Sequence, residues 1–211
     1  MTRMRTARRF FLLAAAIAAA TSCGDVVRNG RAPVLIVIDT LLAAQGNNPS
    51  TFFGSLSSDV QRLVTTPAPC STTTPCPTIF NDLGQASMHV EAKDIGITGN
   101  VIPPSSNNQV TITRYHVSYR RADGRNTPGV DVPFGFDGAV TATIPAQGAA
   151  TFSFELVRVV AKEESPLVQL ISSRTVITAI ADVKFYGTDL VGNAISVTGS
   201  ITIEFGNFGD T

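Results

Sequence analysis

Residues 175–205 read TVITAIADVKFY, then GTDLVGN, then AISVTGSITIEF. In the first block Ile177, Ala179, Ala181, Val183 and Phe185 alternate with Thr178, Asp182, Lys184 and Tyr186; Ile180 is the one apolar residue on the polar side. In the last block Ile195, Val197, Ile201, Ile203 and Phe205 alternate with Ser196, Thr198, Ser200, Thr202 and Glu204. A period of two over this length puts one face of a strand in a core and the other in water. The middle block carries Gly187, Gly192 and Asn193, for which a positive φ costs little. The stretch predicts a long antiparallel hairpin, and the remaining apolar segments need it as a partner.

Outward from the hairpin the same alternation recurs. After Pro33, the branched run Val34-Leu35-Ile36-Val37-Ile38 reads as a strand buried on both faces. Further strands are expected at 85–95, at 110–121 with Tyr115, Val117 and Tyr119 on one face, at 139–144, and at 151–161 with Phe152, Phe154 and Leu156 inward. With 34–42, 175–186 and 194–205 the count is seven. No connection holds a strong amphipathic helix, which argues against a parallel sheet. Ser165-Pro166 ahead of Leu167 and Leu170 predicts a short helical crossing within 162–174. Residues 45–84 read least clearly: 51–64 suits a short helix or an irregular strand, and the Thr- and Pro-rich 65–78 an exposed loop. The expected body is all-β: one two-sheet antiparallel sandwich over residues 33–211, with a long insertion at 43–84.

Charge adds a constraint. The chain has 16 basic and 16 acidic residues, but Arg3, Arg5, Arg8 and Arg9 all precede Phe10 and no acid does. Without that segment 12 basic residues face 16 acidic ones, which gives no electrostatic reason to expect nucleic-acid binding.

Residues 10–20 form an apolar run too short to span a bilayer, which needs about 20 such residues. Behind four arginines it fits the hydrophobic region of an export signal. The run ends in Ala20-Thr21-Ser22-Cys23-Gly24. This resembles the lipobox of bacterial lipoproteins, with Ala20 where Leu is usual. The resemblance implies cleavage before Cys23, diacylglycerol on its thiol, residues 1–22 as signal peptide and 23–32 as a lipid-anchored tether. Gly24, in place of Asp, implies the outer membrane rather than the inner. Arg8-Arg9-Phe10-Phe11-Leu12 also looks like the twin-arginine export core, although a general secretory signal accounts for it more simply.

With Cys23 taken by lipid, Cys70 and Cys76 remain. A metal site wants four ligands, and no His or further Cys lies near them, so a disulfide in an oxidising compartment is expected. No G-x-S-x-G, H-E-x-x-H or P-loop pattern occurs. His89 and His116 stand alone on strands and read as solvated residues. Asp123, Asp131, Asp137 and Asp189 lie in loops but match no calcium-loop spacing, and turns want Asp in any case. No catalytic residue, metal or cofactor is therefore assigned.

Asp189-Leu190-Val191-Gly192-Asn193 resembles the D-x-x-G-N turn of bacterial Ig-like and fibronectin type III-like surface domains, and Tyr115 to Tyr119 suits their third strand. The whole resembles uncharacterised bacterial lipoproteins of Ig-like fold, although a core Trp is missing and the 43–84 connection is oversized. Together these readings lead to the expectation of a lipid-anchored envelope protein that binds or scaffolds without catalysis. A carbohydrate-binding accessory is the alternative, and an unrecognised hydrolase a more distant one. The expected partner is an envelope protein or glycan. Arg121, Arg125, Phe134 and Phe136 are the candidate contact surface, at the end opposite the tether and near the Cys70–Cys76 loop; alternatively the two phenylalanines plug the core.

Overall fold

The computed structural model describes residues 31–93 and 104–209. The fold is mostly β. Ten strands lie among the described residues: β1 (Val34–Ala44), β2 (Ser55–Asp59), β3 (Arg62–Val64), β4 (Cys76–Thr78), β5 (Asp82–Ala92), β6 (Val110–Arg120), β7 (Phe136–Ile144), β8 (Ala149–Val157), β9 (Ile177–Asp189) and β10 (Ala194–Gly206). The seven long ones are those the alternation predicts. The three short ones correct the strand count, and all fall within 43–84.

The strands form a three-stranded sheet, β1-β5-β8, a five-stranded sheet, β2-β10-β9-β6-β7, and the small pair β3-β4. All long neighbours are antiparallel, but β2 runs parallel to β10, so the expected purely antiparallel arrangement does not hold. The reading of 151–161 as strand overruns: β8 stops at Val157 and a helical turn, α1 (Val159–Glu163), follows. A 3-10 turn over Leu167–Ser172 completes the crossing, with Pro166 immediately before it.

The predicted faces hold in the hairpin but not in β1, which was expected to be buried on both faces: as an edge strand it buries Val34 and Ile36 and leaves Leu35 37% exposed. Ala179, Ala181, Val183 and Phe185 of β9 and Ile195, Ile201, Ile203 and Phe205 of β10 are buried, while Ile177 and Val197 are partly so. Aromatic rings join the two larger sheets. Phe154 of β8 meets Tyr115 of β6 at 5.1 Å and Phe185 of β9 at 5.2 Å between centroids, and Phe152 meets Phe185 at 5.6 Å, all edge-on. Such contacts add about 0.5–1.5 kcal/mol each beyond area burial. Two glycines make room for these rings: a Cβ on Gly84 would lie 2.3 Å from Phe154, and one on Gly138 2.2 Å from Tyr115.

Polar ties accompany the rings. The Tyr115 hydroxyl accepts from the Glu155 N–H at 3.2 Å, and the Tyr119 hydroxyl donates to the Leu156 carbonyl at 2.7 Å. Leu156 is the extra residue of a bulge, since Asp82 pairs with Val157 but Leu83 with Glu155. A bulge leaves a residue outside the ladder, and here the tyrosine serves its carbonyl. Burial, with the Asp82 charge second, raises the Tyr119 phenol well above its usual value.

The registers fix the two ends of the molecule. Val34 pairs with Ala92 and His89 with Ala149, so the β7–β8 turn lies at the end where the chain enters β1. Val110 pairs with Asp189, which puts the β9–β10 turn there too. At the other end lie the connections 45–81, 121–135 and 158–176. Tyr119→Phe is expected to lower the unfolding free energy by about 1–3 kcal/mol, because a buried carbonyl loses its donor; urea denaturation at constant m-value checks it.

Candidate functional site

The connection from β6 to β7 starts as a charged fork. Asp123 receives Arg121 and Arg125, each at 2.8 Å, and Arg125 first, then Arg121, hold its carboxyl down to about 2 against the opposing effect of desolvation. Arg120 turns instead to Asp182, at 2.6 Å. Arg120, Arg121 and Arg125 are thus all paired with neighbouring carboxylates.

A tight turn follows. Val130 and Asp131 donate their N–H groups to the Thr127 carbonyl, and the Asp131 carboxylate accepts from the Thr127 N–H. Val132 and Pro133 are buried and pin the chain down. Phe134 cannot follow them inward. Its ring packs over Gly129, which sits at φ +75°, and it stays 56% exposed.

Phe136 has a different fate. It packs against the core with its ring edge-on to Tyr115 at 6.2 Å, and the Arg158 guanidinium covers its other side at 3.9 Å. Arg158 is held there by the Glu155 carboxylate at 3.2 Å and the Asp137 carbonyl at 2.7 Å. α1 begins at the next residue and presents Val160, 56% exposed. Phe134, Phe136, Arg158, Val160, Glu164 and Ser165 line a groove of about 200 Å³. It is apolar, with one cation and one carboxylate at its rim, and can take a small apolar group or a flat ring.

The sequence reading placed Arg121, Arg125, Phe134 and Phe136 on one surface. The structure brings the two phenylalanines into one groove and leaves both arginines on the turn before it. Of the two phenylalanines, only Phe136 plugs the core. Arg158 and Val160 were missed because the strand was read through to Ala161. The disulfide forms as expected, with 5.4 Å between the Cα atoms of Cys70 and Cys76. It borders a separate, broader depression of about 590 Å³ lined by Arg62, Thr65, Thr66, Thr72, Pro75 and Phe80, none of which lines the groove. Cys23 lies outside the described residues.

The other candidates find local uses. His89 Nδ1 lies 2.6 Å from Asp39, the extra residue of a bulge in β1, and its Nε2 lies 3.4 Å from Glu91. With both ring nitrogens facing carboxylates, neither is free to activate a nucleophile. His116 faces Asp137 at 3.3 Å. Asp189 accepts from the Val191 and Asn193 N–H groups and from the Asn193 side chain, so it shapes its own hairpin turn. Among the described residues no three His, Cys, Asp or Glu side chains gather as a metal site.

One polar cluster has no counterpart in the sequence reading. Lys162 of α1, 1% exposed, lies 2.8 Å from the Asp82 carboxylate, which also receives the Ser58 hydroxyl at 2.6 Å and the Gly46 N–H at 2.9 Å. Its burial puts it beyond the reach of any external ligand. Compared with known proteins, the chain matches no family model, no curated protein and no solved structure.

The His89 arrangement has a pH signature. Desolvation lowers its pKa, but the hydrogen bonds and charges of Glu91 and Asp39 outweigh this and leave it raised. A raised folded-state pKa contributes stability below the unfolded value, about 6.5, and that contribution is lost as pH rises through the folded value. Denaturation midpoints are expected to drift down as pH rises above about 6.5. The drift should shrink in His89→Asn.

Proposed function

We propose that the protein is a non-catalytic binding module of a bacterial cell envelope, lipid-anchored through Cys23, with an Ig-like sandwich as its body. The strand order supports the Ig-like reading. Lettered A, B, C, C′, E, F, G in chain order, the seven long strands divide into an A-B-E sheet and a G-F-C-C′ sheet, the partition typical of Ig-type domains. The lipid reading rests on the Ala20–Cys23 pattern behind the apolar run.

The observation that carries the function is the separation of the two ends. The chain enters β1 at Pro33, whose carbonyl accepts from Lys93 at the same end. The Phe134–Val160 groove lies at the other. A tether on the first end turns the groove away from the membrane, where a partner can reach it. Val130 and Val168, 66% and 39% exposed, lie on the same two connections. Loops on a rigid scaffold are where binding residues collect. The partner is an envelope protein with an apolar side chain for the groove. A glycan is the second reading, favoured by the exposed ring of Phe134.

Two experiments test this. Cys23→Ser should shift the protein from the detergent to the aqueous phase; a processed wild-type protein without lipid mass would end the anchor reading. Phe134→Ser combined with Val160→Ser should cost less than about 1 kcal/mol, as exposed positions do, yet abolish capture of envelope neighbours in a pull-down. Phe136→Ser should instead destabilise by about 2–4 kcal/mol, since it removes a ring packed against the core. Unchanged capture by the double variant would exclude the groove.

A further inference from the structure

Lys162 and Asp82 are an amine and a carboxyl held at 2.8 Å, both almost wholly out of solvent. Fully buried Val157 is the cross-strand partner of Asp82, and Val60 and Leu167, on the segments that follow β2 and α1, are fully buried too. Removing two ions from water costs several kcal/mol each, so a lasting ion pair needs every donor and acceptor satisfied. Lys162 Nζ meets Asp82 Oδ2 and the Asp59 carbonyl, the latter at 2.9 Å.

A secondary amide needs less: one acceptor for its N–H and one donor for its carbonyl. Both are in place. The Asp59 carbonyl faces Nζ, and the Gly46 N–H donates to Asp82 Oδ1 at 2.9 Å.

We propose that Lys162 and Asp82 condense into an intramolecular amide that joins α1 to the start of β5. Lys162 first passes one proton to Asp82 Oδ2, 2.8 Å away; the freed Nζ lone pair then attacks Asp82 Cγ, and the Nζ–Cγ bond forms. The Cγ–Oδ2 bond breaks, and Oδ2 leaves as water with two protons that began on the ammonium. Ser58, 2.6 Å from Oδ2, relays one of them. The Gly46 N–H stabilises negative charge on Oδ1 as the tetrahedral centre forms. No oxidant, metal or nucleotide is required. Proximity supplies the drive, because an oriented intramolecular pair reacts at effective concentrations of about 10⁵ M or more, and the product removes two buried charges.

Peptide mass analysis of the full-length protein, unfolded, reduced, alkylated and digested with trypsin, decides the matter without a variant. The expected result is a branched species joining residues 63–93 to residues 159–174, lighter by one water than its two linear parts, with no cleavage after Lys162. Cleavage after Lys162, together with a linear 63–93 peptide, would show a free amine and overturn the proposal. Lys162→Arg should yield only linear peptides; a branch surviving in that variant would place the link elsewhere and overturn it as well.

Discussion

The Asp82 carboxylate receives the Lys162 ammonium, the Ser58 hydroxyl and the Gly46 N–H in a site almost closed to solvent. Those partners come from the connection after β1, from β2 and from α1. The large 45–81 connection is therefore not an appendage. Gly46 and Ser58 must both arrive for the carboxylate to be satisfied, and the Asp59 carbonyl must arrive for the lysine. Any other course for this segment would strand a charge in the interior, at about 3–5 kcal/mol by analogy with broken buried pairs. β2 is then delivered to the edge of β10, where Leu56 and Val60 enter the core. The bulge at Leu156 sits beside the same carboxylate, and the tyrosine that serves it spans the two sheets. Cluster, bulge and inter-sheet tie together fix the loop-bearing end, on which the groove is built.

The body of this structure was legible because the long strands carry patterns of their own: a period of two with one face buried in most, and a continuous branched run in β1. The hairpin of β9 and β10 is the clearest case, and its side chains face as the alternation requires. β2, β3 and β4 have five, three and three residues, too few for any period to emerge, and the partner of β2, β10, is distant in sequence. Lys162 was invisible for a different reason. Next to Glu163 and Glu164 it reads as a solvated charge, and lysine is among the residues least often buried. Only the arrival of Asp82 from across the fold makes its burial tolerable.

The groove was half legible. Phe134 and Phe136 are two residues apart and flanked alike, yet one is exposed and the other packed against Tyr115. What separates them is where β7 begins. From Phe136 onward the register with β6 dictates direction, whereas Phe134 answers to the turn that ends at Pro133. The arginines teach a related lesson. Arg121-x-Asp123-x-Arg125 contains its own counter-ion, so counting the cations alone overstates the field available to an anionic partner.

The opposition of the two ends also has a mechanical consequence. A pull between the entrance to β1 and the groove is directed along the strands, while ladder hydrogen bonds lie across them. The register of β1 with β5 runs from Val34–Ala92 to Ala44–Leu83. Tension applied this way loads the whole ladder in shear, and its bonds must fail together rather than peel off singly.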